Sequence, residues 1–257
     1  MSTSRLTHAR SKSNVWFYNI PLDHEVYQFR FPILDRNSLT ILVTKCTLLI
    51  NMPYRKILIA TNQIYHVFNR GVAHIPIFID TRDYRRFLQT AQYYNDSQEK
   101  LKFSHSPSPK VLLEEPTKKS KKVDVLAYCL MTNHFHFMLK QLADSGITRF
   151  ITQLSNSYSH YFNIKHNRSG PLFNGPYKAI PVDTDEQLIH LSRYIHLNPI
   201  AANLVKNLED YQWSSYQEYL DPARKKLASP RLVLEFFKSG EFYKQFLLDQ
   251  VDYAKEL

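Results

Sequence analysis

The stretch Tyr128-Cys129-Leu130-Met131-Thr132-Asn133-His134-Phe135-His136-Phe137-Met138-Leu139 limits what this chain can fold into more than any other. It is an apolar, strand-like run with two histidines two residues apart. Successive side chains of a strand alternate faces, so His134 and His136 point one way and Phe135 the other. Two imidazoles side by side on a sheet face form a pair of metal ligands. Other parts of the chain must supply what completes such a site.

The flanking patterns predict an α+β order. Ile64-Tyr65-His66-Val67-Phe68-Asn69-Arg70-Gly71 alternates as a strand and stops at glycine. Asp80 suits the N-cap of a helix whose apolar face is Tyr84, Phe87, Leu88, Ala91 and Tyr94. Residues 97–122 are polar and contain proline, with Lys118, Lys119, Lys121 and Lys122 clustered, and read as an exposed connection. Val123 to Met131 predicts a strand, Thr132-Asn133 a turn, and His134 to Lys140 a second strand. Thr148 to Lys165 has helical spacing, Tyr177 to Val182 reads as a strand, and Glu186 to Leu197 as a helix that Pro199 limits.

Strand, helix, two strands, helix, strand is the order of a ferredoxin-like or RRM-like α+β sandwich. The expectation is an antiparallel sheet carrying the histidine pair, with helices on one face, over residues 52–205. A helical, aromatic extension, broken around 221–230, is expected over 206–257. Residues 1–51 contain none of the five glycines and mix polar stretches with β-like runs, Val15-Trp16-Phe17-Tyr18 and Leu39-Thr40-Ile41-Leu42-Val43. Met52-Pro53-Tyr54-Arg55-Lys56 then looks like a natural protein start, so 1–51 is expected to be a non-homologous upstream extension.

A net charge of +10 with 14% aromatic residues favours a polyanionic partner, most simply nucleic acid. Only six of the 33 Lys/Arg and three of the 23 Asp/Glu fall in residues 1–51, so the basic character does not depend on them. Cys46 and Cys129 are the two cysteines, too few for a disulfide scaffold or a cysteine-based zinc site, and they fit a reducing cytoplasm. No apolar run is long enough to span a bilayer.

Ser192-Arg193-Tyr194-Ile195-His196-Leu197-Asn198-Pro199 is the best complement to the histidines. Tyr194 and Asn198 are four apart and share one helix face. His134, His136 and the Asn198 side-chain oxygen can hold a divalent ion and leave positions for phosphate oxygens, which suits Mg²⁺ or Mn²⁺. Tyr194 then suits the role of covalent nucleophile. A free phenol has a pKa of about 10, so it needs the ion, a base or nearby cations to act. Tyr158 and Tyr161 are rivals, but neither has an amide one turn on before a helix end. His196 faces about 200° from Tyr194 on an ideal helix, which points to core packing. Asn133 either orients a ligand or makes the bend. His66 is a candidate to reach the sheet face beside the pair. Arg55, Lys56, Arg70, Arg168, Lys178 and Arg193 are candidates for DNA phosphate contacts, or simply solvated surface.

Taken together, these residues resemble the REP-associated tyrosine transposases, within the single-tyrosine HUH (His, hydrophobe, His) transposases of insertion sequences. The resemblance spans about Met52 to Tyr219. Its carriers are the strand ending at Gly71, Asp83-Tyr84-Arg85-Arg86-Phe87, Tyr128 through His136, Tyr161-Phe162-Asn163, Arg168-Ser169-Gly170-Pro171-Leu172-Phe173, Tyr194 through Pro199, and Trp213-Ser214-Ser215-Tyr216. It implies that His134, His136 and Asn198 are metal ligands and Tyr194 the nucleophile. It also implies cleavage and rejoining of single-stranded DNA at hairpin-bearing or palindromic sites through a 5′-phosphotyrosine, leaving a free 3′-OH and requiring no ATP. Thr132 stands where the family often has proline, which should affect only the bend.

Three functions are consistent with these features. One is this nuclease and strand transferase, cytoplasmic and nucleoid-associated when bound to DNA, as a monomer or a homodimer. Another is a nucleic-acid-binding module on an RRM-like sheet, without chemistry. The third is a metal-dependent hydrolase in which water attacks and no adduct forms.

Overall fold

The computed structural model describes residues 16–22, 25–31, 58–96, 103, 121–224 and 226–251, and the chain divides into two compact units, 1–56 and 57–257. The expectations for Leu39 to Val43, Arg55, Lys56, Lys118 and Lys119 lie outside the described residues. The first unit holds β1 (Trp16–Leu22) and β2 (Glu25–Phe31), antiparallel with Trp16 opposite Phe31 and Leu22 opposite Glu25. Both strands are rich in aromatic and β-branched residues, as paired strands require.

The second unit runs β3 (Ile64–Arg70), α1 (Thr81–Tyr94), β4 (Val123–Met131), β5 (His134–Gln141), α2 (Gly146–Lys165), β6 (Lys178–Val182) and α3 (Asp185–Ala201). Short helices α4 (Tyr216–Leu220), α5 (Arg231–Leu234) and α6 (Gly240–Leu248) follow. The four strands form one antiparallel sheet in the order β4-β5-β3-β6. This is the ferredoxin-like arrangement that the element order predicts.

Strand alternation divides the apolar residues between two cores. Tyr65, Val67, Phe135, Phe137 and Leu139 face α1 and α2, where Phe87, Phe150, Leu154, Tyr158 and Phe162 are buried. Cys129, Met131 and Met138 face the other way, against Leu188, Ile195 and Ile200 of α3 and Tyr216, Tyr219, Val233 and Tyr243 of the extension. Helices therefore cover both faces, not the single face expected from the sequence, because the apolar side of α3 packs on the histidine side of the sheet. The capping box at Asp80 and Asp83 starts α1, and Asp83 also receives Lys165 at 2.6 Å and His166 at 3.0 Å from the end of α2.

Three further expectations need correction. α3 passes through Pro199 and ends at Ala201. A proline so near the C-terminus removes only the bond from its own nitrogen, and Ala202 N–H still reaches the Asn198 carbonyl at 2.9 Å. α2 begins at Gly146, two residues earlier than its periodicity suggests, where a Cβ would meet the Lys122 carbonyl oxygen at 2.3 Å. Lys122 is buried, not solvated: its ammonium donates to the carbonyls of Tyr94, at 2.7 Å, and of Asp96, where α1 ends. Among its described residues the extension has three short helices and two 3₁₀ turns, and the stretch between 221 and 230 carries no α-helix.

The extension also seals the open edge of β4. Leu130 N–H donates to the Trp213 carbonyl and Ser215 N–H to the Tyr128 carbonyl, each at 2.9 Å. A bulge at Val125/Ala127 leaves Leu126 unpaired in the ladder, and its carbonyl accepts the Tyr219 hydroxyl at 2.8 Å. Among the described residues no helix is long and apolar enough to cross a membrane.

Candidate active site

The site grows from the period-two alternation of β5. Phe135 is fully buried in the α1/α2 core, so its neighbours His134 and His136 stand on the opposite face. In the register, His134 lies opposite Arg70 and Met131, and His136 opposite Phe68 and Cys129. His66 and Phe68 of β3 share this face.

Each histidine of the pair is tied at Nδ1. His134 Nδ1 is 2.7 Å from Asn133 Oδ1, and His136 Nδ1 is 2.9 Å from His66 Nε2. The rings of His134 and His136 sit 4.9 Å apart and nearly perpendicular, at 89°. Those of His66 and His136 are stacked at 5.1 Å and 23°. Burial pulls the His66 pKa down to about 3. Burial, then the neighbouring His134 and His66, hold that of His136 well below the ordinary value. His66 and His136 are therefore neutral near pH 7, the state in which an imidazole offers a lone pair.

α3 brings its phenol to this group. Thr184 caps the helix by accepting the Gln187 N–H at 3.1 Å. Behind it, buried His196 binds the Tyr243 hydroxyl through Nδ1 at 2.7 Å and Ser215 Oγ through Nε2 at 2.8 Å. Tyr194, on the other side of the helix, is 39% exposed. Its ring meets that of His136 edge-on at 5.5 Å and that of His66 at 5.9 Å. One turn later, Asn198 Nδ2 donates to the Tyr194 carbonyl at 2.8 Å, so its Oδ1 is the atom suited to a cation.

Tyr158 and Tyr161 are elsewhere, on α2 across the sheet. The Tyr158 hydroxyl donates to the Ile77 carbonyl at 2.5 Å and the Tyr161 hydroxyl to Asp83 Oδ1 at 3.3 Å. Burial raises the pKa of both phenols.

The cations divide into two groups. Arg70 ends β3 opposite His134, and Lys178 lies on β6 opposite Phe68. Arg168 instead closes its own loop, donating to Asn163 Oδ1 at 3.1 Å and the Pro171 carbonyl at 2.7 Å. Arg193 lies 4.2 Å over the Phe246 ring and bonds a His190 ring nitrogen at 2.7 Å. Arg55 and Lys56 are outside the described residues.

Phe68 was not singled out by the sequence reading. Its half-buried ring lies 4.8 Å from that of His66 and 5.9 Å from that of His136. Alternation from His66 is the signal that finds it.

Imidazole nitrogens and an amide oxygen form a donor set that fits a divalent ion with open positions. Among the described residues no group of three or more His, Cys, Asp or Glu is arranged to hold a metal. A two-imidazole site therefore depends on Asn198, substrate oxygens or water for its remaining ligands.

A family model described as "Transposase IS200 like" matches residues 107–198. No curated protein sequence matches. A solved REP-associated tyrosine transposase, bound to a REP hairpin, is similar at 15% identity, covering 70% of this chain and 90% of that one with a TM-score of 0.46. A tRNA(His) guanylyltransferase from Saccharomyces cerevisiae is similar at 10% identity, covering 79% and 83% with a TM-score of 0.33. The matched part, residues 107–198, holds His134, His136, Tyr194 and Asn198 and is similar to the IS200-like transposases over that stretch.

Proposed function

We propose that this protein is a metal-dependent transposase that cleaves and rejoins single-stranded DNA at hairpin-bearing sites, of the REP-associated kind, through a phosphotyrosine on Tyr194. The observation that carries the reading is the approach of the Tyr194 ring to His136, at 5.5 Å, from a helix distant in the chain. The match of residues 107–198 to the IS200-like transposase model supports it.

His134 and His136 would hold Mg²⁺ or Mn²⁺ through Nε2, with Asn198 Oδ1 as a third donor. Such an ion, when bound, withdraws charge from the scissile phosphate. The Tyr194 oxygen attacks phosphorus in line, a new P–O bond forms, and the bond to the 3′ oxygen breaks. The phenol loses a proton and the departing 3′ oxygen gains one, so the step balances without ATP. Attack by a 3′-OH on the phosphotyrosine reverses it and rejoins the strand. Arg70 and Lys178 border the sheet face and suit phosphate contacts, and the net charge of +10 favours the polyanion.

One observation favours a second reading, a binding module without chemistry: the half-buried Phe68 ring on the sheet face is a surface on which a base can stack. Incubation with labelled hairpin-bearing single-stranded DNA and Mn²⁺, followed by a denaturing gel, separates the readings. A slow-migrating adduct that disappears in Tyr194→Phe and on chelation supports the transposase. Cleavage that survives Tyr194→Phe makes the protein a hydrolase, and binding without cleavage makes it a module.

A further inference from the structure

We infer that His66 is a positioning residue: its Nε2 accepts the Nδ1 proton of His136 and so fixes the ring and tautomer of that histidine with Nε2 facing a bound cation. The inference rests on the functional reading above, which makes His136 a ligand.

The geometry leaves two arrangements. His66 Nε2 and His136 Nδ1 are 2.9 Å apart, both rings are buried, and a hydrogen bond at that distance needs one donor and one acceptor. If His66 donates, His136 must carry its own proton on Nε2 and has no lone pair for a cation. If His136 donates, its Nε2 is available, and His66 must carry its remaining proton on Nδ1. Only the second arrangement is compatible with a ligand. His66 then does for His136 what a carbonyl or carboxylate commonly does for a metal-bound imidazole. Asn133 Oδ1, 2.7 Å from His134 Nδ1, stands in the equivalent place for the other ring.

The sheet makes this pairing rigid. His66 is diagonal to His136 across the β3–β5 ladder, whose partners are His66 with Met138 and Phe68 with His136. Val67 and Phe135, on the opposite face, are fully buried and anchor the two strands. The rings are stacked at 23°, so His136 cannot swing without separating from His66.

The test uses the full chain without DNA, with Mn²⁺ binding read by calorimetry and folding by thermal melts. His66→Phe keeps a ring against His136 and removes the acceptor; His66→Gln keeps a polar atom near the position of Nε2. The expected result is about 10-fold or more weaker Mn²⁺ binding in His66→Phe and substantial recovery in His66→Gln. Equal affinity in a folded His66→Phe and the unaltered chain would overturn the inference while leaving the functional reading intact. No Mn²⁺ binding by the unaltered chain would overturn both. Long-range ¹H–¹⁵N NMR of the unaltered, Zn²⁺-loaded chain tests the same point without a variant. A proton on His66 Nδ1 is expected, and one on His66 Nε2 would refute it.

Discussion

Removing the Tyr243 hydroxyl should destabilise the protein by about 2–4 kcal/mol. The hydroxyl sits in a directed chain of buried hydrogen bonds behind the Tyr194 helix. Ser215 Oγ lies 2.8 Å from His196 Nε2, His196 Nδ1 lies 2.7 Å from the Tyr243 hydroxyl, and that hydroxyl donates to Ser192 Oγ at 3.1 Å. Ser192 in turn donates to the Ile189 carbonyl at 2.7 Å. Tyr243→Phe changes little volume but leaves a buried ring nitrogen and a buried hydroxyl short of a partner. Each such hydrogen bond contributes about 1 kcal/mol, and each group left unpaired costs about 1–3 kcal/mol. For a unit of this size the midpoint should fall by roughly 5–15 °C. Thermal unfolding followed by circular dichroism measures this on the full chain. In a His196→Phe background, where the partner is already gone, the same substitution should cost much less. A loss under about 1 kcal/mol, or the same loss in both backgrounds, would refute the assignment of this network as the support of α3.

Acid should destabilise the fold well above the range where carboxylates titrate. Burial pulls His66 and His196 down to about 3, so between pH 6.5 and 3 the unfolded chain takes up protons that the folded chain refuses. Their contribution is full above about pH 6.5 and is lost as pH falls, by about 1.4 kcal/mol per pH unit for each histidine. Urea unfolding at pH 7.5 and pH 5 checks this, and equal stabilities would contradict it. Gly71→Ala should cost about 1–3 kcal/mol, because the added Cβ would meet the Ile75 carbonyl oxygen at 2.2 Å. Gly71 N–H also donates to the Asn133 carbonyl at 2.8 Å, so DNA cleavage should fall with it; unchanged stability in urea would count against this packing.

The placement of the candidate residues was legible in the sequence where local periodicity decides geometry. Period two put His134 and His136 on one face with Phe135 opposite, and period 3.6 put Tyr194 and Asn198 on another. What could not be read was the long-range placement. Nothing local says that α3 crosses to the histidine face; that follows from Leu188, Ile195 and Ile200 packing with Cys129 and Met138. Lys122 looked like one of a cluster of solvated lysines because its partners, the carbonyls of Tyr94 and Asp96, lie at the end of a helix earlier in the chain. Pro199 read as a stop because proline usually is one, yet in a last turn it forfeits a single bond. The docking of the extension along the edge of β4 and at the Leu126 bulge has no signal in residues 206–257 themselves.

The most direct test of the account is mass spectrometry of the protein after reaction with hairpin-bearing single-stranded DNA and Mn²⁺, with nuclease and protease digestion to locate the attached nucleotide. The account predicts a phosphonucleotide on the peptide containing Tyr194, attached through that tyrosine. Attachment at Tyr158 or Tyr161, or cleaved DNA with no modified peptide, would contradict it.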